Sequence, residues 1–253
     1  MKNITTIALL LSSIISFGQV EFFVNIGAKS FSQSGGAYTF LFTDDSPSQD
    51  VLNSSFSLSD QPVGFLCGIS LMGKDDKTGD KHKIGIDARL YFAESGAFDI
   101  GVAYMYGLVD RYRSQNQLSF SWRIGASAGA GFIWKELGTI QNNAVYIQVN
   151  STQFDDFTNV DASLNGAFGF INPRMEWNWF LDSQNGVKGV KFYIGYTFAT
   201  RANSRIILKG DVNGERVSED VSLSSGILIR NNERVEDLFI SASGFEVGLG
   251  FSF

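Results

Sequence analysis

From Leu118 to Lys135 the chain alternates between two kinds of residue over about 18 positions. Leu118, Phe120, Trp122, Ile124, Ala126, Ala128, Ala130, Phe132 and Trp134 fall on one face. Ser119, Ser121, Arg123, Gly125, Ser127, Gly129, Gly131, Ile133 and Lys135 fall on the other. A strict period of two is the signature of a β-strand, because successive side chains point to opposite sides of the backbone. Strands of soluble domains usually run five or six residues. A strand three times that length is long enough to cross a lipid bilayer and project beyond it.

The same period recurs along the chain. Ile84, Ile86, Ala88, Leu90 and Phe92 alternate with Gly85, Asp87, Arg89 and Tyr91. Phe98, Ile100, Val102, Tyr104, Tyr106 and Leu108 alternate with Asp99, Gly101, Ala103, Met105 and Gly107. The stretches Val190–Phe198 and Phe245–Phe253 repeat the pattern, and Val20–Phe31, Val63–Met72 and Leu164–Phe180 complete a set of eight with less regular alternation. Pro173 interrupts the last of these and predicts a bulge, since proline has no N–H for the ladder. With 23 Phe, 27 Gly and only 3 Pro, the composition suits strands. The expected fold is therefore all-β, a transmembrane antiparallel up-and-down β-barrel of eight strands, with ten as the alternative count.

The first 18 residues stand apart. Lys2 supplies a positive start, Ile4 to Ile15 an apolar stretch, and Ser16 and Gly18 the small residues of a cleavage site before Gln19. This is the layout of a secretory signal peptide, too short to span a membrane as a helix. Residues 1–18 are expected to be cleaved and 19–253 to form the barrel. Without Lys2 the formal charge of −6 becomes −7. An acidic chain offers no basic surface for nucleic acid. Cys67 is the only cysteine, so neither a disulfide framework nor a cysteine zinc site is expected.

The connections between the eight segments cover about 33–61, 74–81, 94–97, 110–116, 136–160, 182–187 and 202–240. With a periplasmic N-terminus, the odd-numbered ones face outward, and three of those four are long. Short periplasmic turns and long external loops are the rule for outer-membrane barrels; only 94–97 departs from it. Within the last loop, Arg205–Val212 and Glu215–Leu223 flank Asn213-Gly214, the signal for a tight hairpin. Gly226–Arg230 and Leu238–Ser243 are further strand candidates, either as wall extensions or as a ninth and tenth strand.

A soluble barrel would bury its apolar face, whereas a membrane barrel would expose it. Tryptophan spacing favours the second. Trp122 and Trp134 lie twelve residues apart on one face. At roughly 3.3 Å per residue and a tilt near 40° they are separated vertically by on the order of 30 Å. Together with Trp177 and Trp179 they predict an aromatic girdle at the edges of a hydrocarbon band. The opposite face carries Lys83, Asp87, Arg89, Asp99, Arg123, Arg174, Glu176, Lys191 and Glu246. Of these, Asp87, Arg89, Asp99, Arg123, Arg174 and Glu176 are expected to form a charge network filling a narrow lumen, where charges are tolerated only when paired.

The chain ends Glu246-Val247-Gly248-Leu249-Gly250-Phe251-Ser252-Phe253. With Glu246, Gly248, Phe251 and Phe253 in its key positions, this resembles the terminal β-signal by which outer-membrane barrels are handed to the barrel assembly machinery. Signal peptide, strand pattern and terminus together resemble the small outer-membrane β-barrel proteins of the Bacteroidota type. That resemblance implies a Gram-negative outer membrane, external loops and periplasmic termini.

Chemistry is sparse. The single histidine, His82, is expected in a solvated periplasmic turn, so the external pairs Asp44-Asp45 and Asp155-Asp156 have no histidine base nearby. No catalytic residue, cofactor or metal site is expected, and the acidic loop residues, Asp50, Asp60 and Glu136 among them, lack calcium-loop spacing. Tyr38, Phe40 and Phe42 either continue the wall or form a partner surface. The expected role is a non-enzymatic barrel acting through its external loops, with outer-membrane lipid or lipopolysaccharide around it and an outer-membrane protein as a possible partner. The alternatives are an accessory subunit of an assembly, secretion or uptake complex, for which the small stripe Ala126, Ala128 and Ala130 allows close packing, and a small-solute channel or surface lipid-modifying enzyme.

Overall fold

The computed structural model describes residues 20–43, 51–75, 79–114, 117–140, 147–149, 152–155, 159–181, 188–200, 203–221, 226–231, 233–235 and 240–252. The expected signal peptide, Asp44-Asp45, Asp50, Asp156 and Phe253 lie outside these residues.

Eight antiparallel strands close into a barrel. They are β1 (Val20–Ser30), β2 (Val63–Asp75), β3 (Gly79–Phe92), β4 (Gly96–Ser114), β5 (Gln117–Ile140), β6 (Val160–Phe180), β7 (Gly189–Ala199) and β8 (Gly244–Ser252). Each pairs with its sequence neighbour, and β8 pairs with β1 to complete the circle, with Ile26 opposite Leu249 on one side and Cys67 on the other. Closure leaves no free edge in the ring, which is how an up-and-down sheet avoids unpaired backbone groups. The count is eight. The additional strand material of the last loop builds above the ring and does not enter it.

Both described chain ends lie at one rim, together with the connections after β2, β4 and β6. The other rim carries the remaining connections, and the wall extends there. Above Ala167, β6 exchanges β7 for a new neighbour, Asn203–Val212, which folds back as Glu215–Val221. The turn between them is Asn213-Gly214 with φ of 52° and 79°, the left-handed pair that a two-residue hairpin requires and that asparagine and glycine tolerate best. A separate four-stranded sheet joins Glu233–Val235, Gly226–Arg230, Gly36–Thr43 and Val51–Leu58 in that order. Ile240–Ser241 pairs with Ser32–Gln33, tying the last loop to the first.

Two local expectations are corrected. Pro173 makes no bulge: it stands opposite Ala126 on an unbroken β5 ladder, and towards β7 the register is the same on either side of it. A strand can omit one donor without shifting its pairing. The irregularity in β6 falls higher up, between Ala162 and Ser163. His82 lies in β3 and not in a turn, opposite Tyr106, with Nδ1 2.7 Å from the Tyr104 hydroxyl.

The two sides of the ring differ sharply. Phe22, Ile26, Phe65, Ile69, Ile84, Ile100, Val102, Ile171, Met175, Val247 and Leu249 are exposed on the outside. Inside, Asn25, Ser70, Asp87, Arg89, Asp99, Arg123, Asn172, Arg174, Glu176, Asn178, Lys191 and Glu246 are buried. This is the reverse of a soluble barrel.

Candidate functional site

The interior charges are placed by strand parity. Arg89 on β3 donates from Nε to Asp99 of β4 at 2.8 Å and from Nη1 to Glu246 of β8 at 3.0 Å. The Tyr91 hydroxyl donates to the second Asp99 oxygen at 2.7 Å. Arg174 on β6 pairs with Asp87 and sits 2.9 Å from Glu176, which Lys191 of β7 approaches to 3.5 Å. Near the rim that holds the chain ends, Lys83 and Arg123 share Glu21. Lys29 donates to Thr197 Oγ1 at 2.9 Å and lies 4.1 Å from the centre of the Tyr91 ring. Ion pairs this dry lose most of their hydration, and such partners stabilise mainly by not leaving one another unpaired. The space enclosed by Arg89, Arg174, Glu176, Lys191, Tyr193 and Glu246 is about 10 Å³ for the centre of a water molecule, roughly one water.

The six residues expected to form the network thus divide between groups. Arg89 with Asp99, and Arg174 with Asp87 and Glu176, meet in the middle of the ring. Arg123 stands across from Glu176 in the ladder but reaches Glu21 with its guanidinium at 3.5 Å. Glu21 and Lys29 were missed, although the parity of β1 puts both inward beside Phe23 and Asn25. Glu246, in the terminal motif, is a full partner of Arg89. Gly248 is buried beside Tyr193, and Phe251 is half-buried on the outer face.

The tryptophans lie on the outer face. Trp122 and Trp177 stand opposite one another with nearly parallel rings, 6.3 Å between centres. Trp179 packs on Phe120, Phe192 packs on Trp177, and His82 sits against Tyr104 and Tyr106. These rings form a belt near the chain-end rim. Trp134 stands towards the other rim, its ring over Gly96, near the level of Phe92, Phe98 and Phe132.

Beyond that upper level the structure is tied by polar clasps. Glu94, in the short connection after β3, accepts the Ser59 N–H at 3.0 Å, the Ser59 hydroxyl, and Gln33 Nε2 at 3.3 Å. Partial burial works to raise the Glu94 carboxyl, but these donors and nearby Lys135 outweigh it and hold it below the usual glutamate range. Asp60 accepts the Gly35 N–H at 2.7 Å. Asp155 accepts both turn amides, Asn213 at 2.8 Å and Gly214 at 3.0 Å, so this loop acid caps a hairpin. Tyr38 is buried in the four-stranded sheet, stacked on Phe56 and donating to Ser34 O at 2.7 Å, and is not a free partner surface. Burial raises its hydroxyl above the usual range, against the pull of Arg230.

Among the described residues no group of histidine, cysteine and acidic side chains is arranged to hold a metal ion. Comparison with protein-family models, curated proteins and solved structures finds no match. The class defined by fold and interior is a closed eight-stranded barrel with inverted polarity.

Proposed function

We propose that this chain is an integral outer-membrane β-barrel, secreted by its signal peptide, with a closed lumen and a non-enzymatic role carried by its external loops. One observation carries the reading. Along β6 the even-numbered residues face inward throughout, yet the chemistry of the two faces exchanges half-way. Above, Val160, Ala162 and Leu164 are buried, while Asp161 is exposed and Ser163 and Asn165 are half-buried. Below, Asn172, Arg174, Glu176 and Asn178 are buried and Ile171, Met175 and Trp179 are exposed. Water outside explains the upper pattern and hydrocarbon outside explains the lower one.

The exchange falls near Trp134, which stands opposite Asn165. The lower aromatic belt is twelve residues away along the strand, on the order of 30 Å in height. An outward apolar band with aromatic edges and short turns at the chain-end rim is the pattern of outer-membrane barrels. The resemblance of the terminus to an assembly signal supports the same reading and names the barrel assembly machinery as a contact; a Gram-negative outer-membrane placement would surround the barrel with lipopolysaccharide-bearing lipid. Paired charges and a one-water gap support a closed lumen over a solute channel.

The test is cell fractionation followed by gel mobility with and without boiling. The expected result is outer-membrane recovery and a heat-dependent shift; a soluble periplasmic protein with no shift overturns the reading. A second reading, an accessory subunit of a larger complex, is favoured by the exposure of Ala128 and Ala130 on the outer face. Purification in mild detergent separates the two: a stoichiometric partner supports the subunit and an isolated monomer refutes it.

A further inference from the structure

The dipeptide Asn-Gly occurs three times in the chain, and two of its copies lie among the described residues in contrasting settings. Asn165-Gly166 sits inside β6, between the ladders to β5 and to Asn203–Val212. Asn213-Gly214 is the exposed tip of the hairpin, where a side chain built on Gly214 would meet nothing within 4 Å. Asp155 lies against that tip, and several contacts fix its place. Phe154 is fully buried against Gly210, where a Cβ would come within 2.5 Å of Phe154 Cδ1. Asp155 N donates to Asp211 O at 2.7 Å, and the Thr152 hydroxyl donates to Glu219. The Asp155 carboxylate then accepts both amides of the turn, Asn213 N at 2.8 Å and Gly214 N at 3.0 Å.

We propose that Asn213 is a self-modification site and that Asp155 is the residue that restrains it. The reaction is deamidation. Gly214 N attacks Cγ of the Asn213 side chain, and an N–Cγ bond forms. The proton of Gly214 N passes to the side-chain nitrogen, which leaves as ammonia. Water then opens the five-membered imide at either carbonyl, giving aspartate or isoaspartate. Glycine leaves the attacking nitrogen unhindered, and the open tip adds no barrier of its own. The cap opposes the step in two ways. Both turn amides are held in charge-assisted bonds that must break before the nitrogen can swing to Cγ. A carboxylate is too weak a base to carry off an amide proton, and its negative charge disfavours losing that proton beside it. Once formed, the new carboxylate at 213 faces Asp155 as a like charge, so the modified turn loses its cap. Asn165-Gly166 has no such freedom, since ladders on both sides hold its backbone.

The test incubates the full chain, folded in detergent, in mildly alkaline buffer made with heavy-oxygen water. Peptide mapping by mass spectrometry then times label uptake at Asn213, with Asn165 as the internal reference. Asp155→Ala is expected to speed conversion roughly tenfold, the factor that a hydrogen bond to a charged group is worth. Asp155→Asn keeps an acceptor without the charge and is expected to fall between, roughly threefold faster than wild type. Asp161→Asn breaks the ion pair with Arg216 in the same hairpin without touching the cap and is expected to keep the wild-type rate. A synthetic peptide of residues 209–218 gives the uncapped rate, and wild type is expected to lie at least roughly tenfold below it. That comparison and Asp155→Asn carry the test if the alanine variant does not fold. Wild type converting at the peptide rate overturns the inference, as does Asp155→Ala at or below the wild-type rate. Equal acceleration by Asp161→Asn also overturns it, since any loosening of the hairpin would then suffice.

Discussion

The lower ring and the wall above it share β5 and β6 but are stable for opposite reasons. In the upper wall Leu137, Ile140, Val160, Ala162, Leu164, Ile206 and Leu208 are buried inside, with Glu136, Thr139, Asp161 and Arg205 outside. That is ordinary hydrophobic burial. In the lower ring the inside is a set of buried ion pairs and the outside is apolar. There, burial of apolar surface against protein contributes little and pairing of charge decides what is tolerated. A strand's alternation therefore specifies which residues share a face, and the surroundings specify which face turns inward.

The sharpest way to break the comparison is to remove one ion-pair partner. Arg89→Ala leaves Asp99 and Glu246 buried without their guanidinium, and a loss of about 3–5 kcal/mol is expected in urea unfolding of the bilayer-reconstituted barrel. An effect below about 1 kcal/mol would show that water screens the lumen. In the upper wall the matching change is Leu137→Ala, fully buried in wild type. It is expected to cost about 2–5 kcal/mol, and its effect should appear as protease sensitivity confined to the upper loops.

The outer faces give the next contrast. Val102→Arg places a charge on the exposed middle of the apolar band, where the expected cost is about 2–4 kcal/mol in bilayers. Glu136→Lys, on the outer face of the upper wall, is expected to stay within about 0.5 kcal/mol. If both substitutions are equally mild, the band is not in hydrocarbon.

Much of the ring was legible because period two survives in any surroundings. The eight segments, the parity of Asp87, Arg89, Asp99, Arg174 and Glu176, and the Asn213-Gly214 turn are all local signals. What stayed hidden depends on closure. Glu21 meets Lys83 and Arg123 across the lumen, and no spacing along β1 announces partners on β3 and β5. The pairing of Gly36–Thr43 with Gly226–Arg230 joins segments nearly 190 positions apart, beyond any hairpin rule. The turn expected around His82 failed because the strand continues to Gly79, so its ring joins the aromatic belt.

The smallest effect concerns the polar clasp at the upper rim. Glu94 is exposed, so its bonds to Ser59 and Gln33 are screened and contribute modestly. Its carboxyl titrates lower when folded than the usual value of 4.5. A depressed folded value means that its contribution is complete above that usual value and fades as pH falls from there through the lowered one. Glu94→Gln keeps the shape but removes the charge. At neutral pH the variant should show faster amide exchange at Ser59 than wild type, and the two should converge in acid, once pH has fallen below the lowered carboxyl value. The Asp155 cap on Asn213 and Gly214 is a useful internal reference, since Glu94→Gln should leave exchange there unchanged at either pH. A difference that persists in acid would mean that Glu94 holds the first loop by shape and not by charge.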